Sequence, residues 1–147
     1  MTRIYLDTSV ISALYDVRTP ERMAQTKQAW ILLADYEICI SNIVLAELSN
    51  ASEEYKDIFL KAVENFIILD ADEDVYKLAT EYVSRGIFPE KYIDDAVHVA
   101  IASLNNIGIL LSWNFTHLVK IKTRQMVALV NSEKNYLPVE IISPPEL

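Results

Sequence analysis

The stretch Arg3-Ile4-Tyr5-Leu6-Asp7-Thr8-Ser9-Val10-Ile11-Ser12-Ala13-Leu14 decides the class of the fold. Its first four residues are a short β-prone run, and Asp7 hands the chain directly to a helix-length stretch that begins at Thr8. The same order recurs along the chain. Glu37-Ile38-Cys39-Ile40 is a second apolar run, closed by Ser41, a residue suited to cap the helix running through Val44, Leu45 and Leu48. Phe66-Ile67-Ile68-Leu69 is a third run, and Asp72 then precedes Val75, Leu78, Ala79 and Tyr82 at the i, i+3, i+4, i+7 spacing of an amphipathic helix. Between the first two runs, Thr19-Pro20 reads as a cap followed by proline at the first helical position, with Met23, Lys27, Trp30 and Ala34 recurring behind it. After the break from Gly86 to Pro89 comes an almost wholly apolar helix, Ala96 to Leu104. It is followed by the run Ile107-Gly108-Ile109-Leu110-Leu111, a helical stretch near Arg124 to Val130, and a short strand from Val139 to Ile142.

Apolar runs separated by helical segments too long for hairpin loops predict an α/β fold. The expected architecture is a three-layer α/β/α sandwich around a mainly parallel sheet of about five strands, buried on both faces. The 147 residues contain no internal repeat and fit one domain spanning 1–147. In such sheets ligands collect beyond the carboxyl ends of the strands, so the polar residues just after each strand are the informative ones.

Composition removes several function classes. Hydrophobic residues make up 52% and charged residues 23%, with two glycines, which excludes disordered and collagen-like chains. One cysteine, Cys39, and two histidines cannot build a disulfide framework, a zinc cluster or a Cys-x-x-Cys redox pair. The first residues lack the apolar core of an export signal, and no run reaches the roughly 18 apolar residues of a membrane span. The expectation is therefore a cytoplasmic protein with no membrane partner. With 21 acidic and 13 basic side chains, the net charge of −8 argues against broad electrostatic binding to a polyanion. A nucleic-acid substrate then needs bridging metal ions or a local basic patch.

The carboxylates supply the first of these. Asp7 closes the first strand, Glu47 sits on the helix after the second, and Asp94 and Asp95 open the most apolar helix. Read singly, Asp7 is equally a helix cap, Glu47 an ordinary exposed side chain, and one of the aspartate pair an N-cap. Asn114, after the fourth strand, offers a neutral carbonyl oxygen or serves as a turn residue. The lone His98 reads as a hydrogen-bonded core residue. Taken together, Asp7, Glu47, Asp95 and Asn114 fall where a doubly wound fold would gather them at one edge. Three carboxylates at close quarters repel unless a divalent cation neutralises them, and oxygen-only ligands select Mg2+ or Mn2+ over zinc. Such a site most often handles phosphate esters. A phospho-acceptor receiver domain is set aside because Thr8 and Ser9 follow Asp7 where further acidic residues are needed. Ser9 excludes a haloacid-dehalogenase-type phosphatase in the same way.

Four blocks in order, Tyr5-Leu6-Asp7-Thr8-Ser9, Ile43-Val44-Leu45-Ala46-Glu47-Leu48, Asp95-Ala96-Val97-His98-Val99-Ala100 and Ile109-Leu110-Leu111-Ser112-Trp113-Asn114, resemble PIN-domain ribonucleases. The similarity is strongest to VapC-like toxins of toxin–antitoxin systems, and the ending Pro138 to Leu147 resembles the tail of one branch of them. The resemblance implies a PIN-like fold and Mg2+- or Mn2+-dependent cleavage of single-stranded RNA. It implies Asp7, Glu47 and Asp95 as metal ligands and catalytic residues, with Asn114 in support and Ser112 at a position of small hydroxyl residues. At His117, where many members have an aspartate, this chain departs from the pattern. It also implies an antitoxin protein as partner and a homodimer. For substrate contact the candidates are Thr8, Ser112, His117 and the basic cluster Lys120, Lys122 and Arg124, whose other reading is a solvated face. Trp113 and Phe115 are candidates for stacking on unpaired bases or for the core. A PIN fold that binds nucleic acid or protein without turnover is the alternative function.

Overall fold

The computed structural model describes all 147 residues, Met1–Leu147. In chain order its elements are β1 (Arg3–Leu6), α1 (Thr8–Ala13), α2 (Pro20–Leu32), β2 (Glu37–Ser41), α3 (Asn42–Ser49), α4 (Glu53–Ala62), β3 (Ile67–Leu69), α5 (Glu73–Ser84), α6 (Ile93–Leu104), β4 (Ile109–Leu111), α7 (Ile121–Glu133) and β5 (Glu140–Ile142). The five strands form one sheet in the order β3-β2-β1-β4-β5, and every pairing is parallel. Ile4 stands opposite Ile38 on one side and Ile109 on the other. Successive strand residues point to opposite faces, and Ile4, Tyr5 and Leu6 are all fully buried, so both faces of the central strand are covered. This is the α/β/α sandwich with a parallel five-stranded sheet expected from the alternation of runs and helices.

Local chemistry sets the boundaries. The Ser41 hydroxyl accepts from the Val44 backbone N–H at the start of α3, and Asp72 accepts from Val75 at the start of α5, as their positions predict. Strands β3 and β5 each begin one residue later than their apolar runs, α6 begins at Ile93 ahead of Ala96, and further differences from the sequence expectation have local causes. Helix α4 is an element the run-and-helix reading omits, although Tyr55, Ile58, Phe59, Ala62 and Val63 recur at the i, i+3, i+4, i+7, i+8 spacing of an amphipathic helix. Strand β4 starts at Ile109 and not at Ile107, because the Ile107 N–H donates to Ala102 O and closes α6 with Asn106 at a positive φ of 54°. Neither Asp94 nor Asp95 caps α6. A 3-10 turn over Glu90–Tyr92 runs into the helix, Tyr92 takes the cap position, and both aspartates lie in the first turn. Helix α7 extends past both ends of the Arg124 to Val130 segment.

A single cluster of 34 buried hydrophobic residues, from Ile4 to Ile141, joins the sheet to its helices. Each fully buried Leu or Ile in it, such as Leu110 or Ile101, contributes about 1.5–3 kcal/mol by leaving water. Helix α5 packs along α6, while α1 packs against α2, α3 and α4. No helix is long and apolar enough to cross a membrane.

Candidate active site

The carboxyl ends of β1 and β4 lie side by side, and the Asp7 N–H donates to Leu111 O at 3.3 Å. Asp7 takes the cap position of α1, yet its carboxylate caps nothing. It is 5% exposed and is held instead by two hydroxyls. Ser9 Oγ donates to Asp7 Oδ1 and Ser112 Oγ donates to Asp7 Oδ2, each at 2.5 Å. The backbone N–H groups of Trp113 and Asn114 in turn donate to Ser9 Oγ and Ser112 Oγ, which fixes both hydroxyls. Burial pushes the Asp7 carboxyl above its ordinary range, and His98, Ser112 and Ser9 offset part of that push.

Helix α6 delivers the second carboxylate and an imidazole. Asp95 Oδ1 accepts from Asn114 Nδ2 at 3.3 Å. Desolvation raises the Asp95 carboxyl too; His98 and His117 work against the shift, and the negative charge of Asp7 adds to it. His98, one turn further on, is 4% exposed. Its Nδ1 is 2.6 Å from Tyr5 Oη, which also meets Ser41 Oγ at 2.8 Å, and its Nε2 faces Glu47 Oε1 at 3.5 Å. Burial alone would make this imidazole harder to protonate. Glu47, Asp7 and Asp95 together outweigh burial and hold its pKa above the ordinary histidine value. Glu47, whose side chain is 40% exposed, is the one carboxylate of the three shifted downward: burial opposes the shift, but His98 and Thr8 favour its charge more. Thr8 Oγ1 is buried beside Glu47 without a well-formed hydrogen bond.

His98 therefore joins Tyr5 of β1 to Glu47 of α3, while Asp7 and Asp95 are tied to the loop after β4 through Ser112 and Asn114. His98 is the hydrogen-bonded core residue expected from the sequence, and it also faces the acidic cleft. That second role is signalled only by its one-turn spacing from Asp95. Tyr5 and Ser9 were not singled out, because a tyrosine in an apolar run and a serine in a first helical turn carry no distinguishing pattern. Asp94 is exposed and makes no part of the cluster.

No three His, Cys, Asp or Glu side chains are drawn together as a ready-made metal cage. The donor chemistry nevertheless fits a small hard cation. Each oxygen of Asp7 accepts a single hydrogen bond and keeps a second acceptor position, and Asp95 and Glu47 retain oxygens with no protein donor. Mg2+ keeps several waters and binds through one or two carboxylates and substrate phosphate, so it needs no closed cage. Two like-charged buried carboxylates with upward-shifted pKa values are what an added divalent charge would relieve.

The other candidates divide. Ser112 orients Asp7, and Asn114 links Asp95 to the loop after β4, its Oδ1 accepting from the His117 N–H at 2.9 Å. Lys120 occupies the cap position of α7 and Lys122 is exposed on it. Arg124 is turned toward Glu146, with Nη2 3.3 Å from Oε2, and so is engaged by a carboxylate of its own chain. Trp113 is buried in the core, donating through Nε1 to Thr26 Oγ1, whereas Phe115 is exposed.

The family model described as PIN domain matches residues 4–114, from the central strand through Asn114. The chain belongs to the PIN domain family. Its PIN fold is similar to that of several solved structures. One is a toxin–antitoxin complex from Klebsiella pneumoniae, 18% identical over 96% of this chain and 97% of that chain, with a TM-score of 0.65. A second is VapBC2 from Rickettsia felis bound to a DNA fragment from their promoter, at 19% identity, 97% and 98% coverage and a TM-score of 0.61. A third is VapC20 from Mycobacterium tuberculosis, a sarcin-ricin loop cleaving toxin, at 20% identity, 92% and 98% coverage and a TM-score of 0.59. At these identities the likeness is one of fold. No curated protein matches the sequence.

Proposed function

We propose that this PIN-domain protein is an Mg2+- or Mn2+-dependent endoribonuclease that hydrolyses phosphodiester bonds of single-stranded RNA, and that it is the toxin of a toxin–antitoxin pair. The observation that carries the reading is that Ser112 and Asn114, close together in the loop after β4, hold the Asp7 and Asp95 carboxylates at the carboxyl edge of the sheet, with His98, one turn from Asp95, facing Glu47 at 3.5 Å. Support for the toxin role comes from the fold shared, end to end, with chains described as toxin–antitoxin complexes and as a sarcin-ricin loop cleaving toxin.

In this reading a bound divalent cation supplies the electrophile for the phosphoryl oxygen and lowers the pKa of an attacking water. Asp7, Glu47 and Asp95 would hold it through oxygen. Ser9 and Ser112 lock the Asp7 rotamer, and Asn114 orients Asp95. His98, gripped by Tyr5, keeps Glu47 turned inward and balances part of the negative charge while the cation is absent. Three carboxylates and a neutral Asn114, with His117 beyond it, make the site less acidic than one with a fourth aspartate.

An antitoxin partner rich in basic residues suits the net charge of −8, and a homodimer and a cytoplasmic setting complete the proposal. The test is cleavage of a mixed single-stranded RNA pool with Mg2+, Mn2+ or EDTA, beside Asp95→Asn purified identically. Metal-dependent cleavage that vanishes in the variant is expected. Intact RNA with folded, antitoxin-free wild-type protein overturns the nuclease reading in favour of a binding module.

A further inference from the structure

Two aromatic groups stand exposed around the acidic cleft, each attended by cations. Tyr92 is 41% exposed and lies in the turn just before Asp95. The His117 ring leans against it, tilted, with centroids 4.3 Å apart and planes at 32°, and the Lys91 ammonium is 5.6 Å from the Tyr92 centroid. Phe115, 48% exposed, meets the buried Trp113 edge-on at 6.0 Å. The Arg22 guanidinium lies 4.7 Å from the Trp113 centroid and 5.9 Å from that of Phe115. Beside it, an open depression of about 550 Å3 lined by Thr19, Pro20, Glu21, Arg22, Gln25 and Trp113 leaves room for a planar ring.

The loop that carries Phe115 and His117 is held rigid. Asn114 O accepts from the N–H groups of Leu118 at 3.1 Å and Val119 at 2.8 Å, and Thr123 Oγ1 donates to His117 O at 2.7 Å. Asn114 also ties this loop to Asp95, so both aromatic groups are fixed relative to the carboxylates. Exposed rings on a preorganised loop bury nothing in the core. They present π-faces, and cations over such faces add attraction for electron-rich rings while countering phosphate charge. Because the chain is acidic overall, affinity for a nucleic acid has to come from such contacts more than from a general positive field.

We infer that Tyr92 with His117, and Phe115 with Arg22, are two stacking platforms for unpaired nucleobases flanking the phosphate held at the acidic cleft. The inference rests on the ribonuclease reading for the substrate it names. Bases in a duplex already cover one another's faces, so the platforms select single-stranded segments, and stacking tolerates any base. Tyr92, His117, Phe115 and Arg22 are binding and positioning residues, distinct from the carboxylates that handle the phosphate.

The experiment is fluorescence anisotropy of a labelled single-stranded RNA of mixed sequence, about 12 nucleotides long, titrated with protein in EDTA. Wild type, Tyr92→Ala, Phe115→Ala, Tyr92→Phe and Phe115→Tyr are compared, each checked for folding by circular dichroism. Each alanine variant is expected to weaken binding about 10-fold, as loss of one stacked base predicts, while the ring-retaining variants stay near wild type. A duplex of the same sequence is expected to bind more weakly than the single strand. Folded alanine variants that bind like wild type overturn the inference, as does Tyr92→Phe losing as much as Tyr92→Ala, or a wild type that does not bind the strand. Cleavage by the wild type with Mn2+ is measured in parallel. Cleavage with unchanged alanine-variant binding sinks the platforms alone, and ring-dependent binding without cleavage sinks the nuclease reading alone.

Discussion

His98 Nε2 and Glu47 Oε1 face each other at 3.5 Å across the boundary between the core and solvent: the imidazole is buried and the carboxylate open. Each favours the charge of the other, and the histidine pKa is raised above its ordinary value against the pull of burial. In metal-free protein, an NMR titration of the imidazoles should show the His98 pKa falling in Glu47→Gln. The sign for stability follows from linkage. A raised folded pKa stabilises fully below the unfolded value of about 6.5 and is lost as pH rises through the folded pKa. Denaturant titrations in EDTA should therefore show wild type losing stability as pH rises above about 6.5, and Glu47→Gln losing less.

The two aspartates of the cleft are kept charged at a cost. Asp95 is desolvated and repelled by Asp7, and its Oδ1 already accepts from an amide. Asp95→Asn is expected to stabilise the metal-free protein by roughly 1 kcal/mol while abolishing RNA cleavage, the usual trade between stability and a working site. Thermal unfolding in EDTA decides this, and a variant that melts below wild type contradicts it.

Tyr5 connects the sheet to that cleft. Its hydroxyl sits 2.8 Å from Ser41 Oγ and 2.6 Å from His98 Nδ1, all three residues being buried. Tyr5→Phe leaves both partners without it, which costs about 1–3 kcal/mol in urea unfolding. Because the imidazole loses its anchor, cleavage should slow further than the stability loss explains.

Glu146 provides an acid-side marker away from the cleft. It accepts from the Ser143 N–H at 2.7 Å and from Arg124 at 3.3 Å, contacts that hold its carboxyl below the ordinary range, the Ser143 backbone foremost. A lowered folded pKa gives stability that is present above the unfolded pKa and lost as pH falls through the folded one. Between about pH 5 and about pH 3, wild type should lose more stability than Glu146→Gln. Equal losses would remove Glu146 from the acid response.

The sheet was legible because β1 and β2 pass through Asp7 and Ser41 directly into helices and a short apolar run precedes α5, with Ser41 and Asp72 capping as their positions demand. Asp7 stood out for the same reason, since strand ends are where a parallel sheet presents its ligands, whereas Glu47 and Asp95 lie on helices and were candidates through their order along the chain. What lay outside reach depends on partners remote in the chain. Whether Arg124 is free or engaged turns on Glu146, and whether His117 is a surface residue turns on Tyr92. The cap of α6 was misassigned to the Asp94–Asp95 pair because a 3-10 turn leading into a helix leaves no signature beyond Pro89. Helix α4 was legible as well, since Tyr55, Ile58, Phe59, Ala62 and Val63 form an amphipathic stripe behind Glu53 and Glu54 in the first turn.

The central strand is the first element of the chain, and one of its two neighbours is β4, near the far end. The bond from Ser112 to Asp7 spans 105 residues. A chain emerging from synthesis therefore has every acidic side chain of the cleft before it has the strand and serine that align them. Alignment of Asp7 by both of its hydroxyl partners therefore waits for Ser112, long after Asp7 itself has been made.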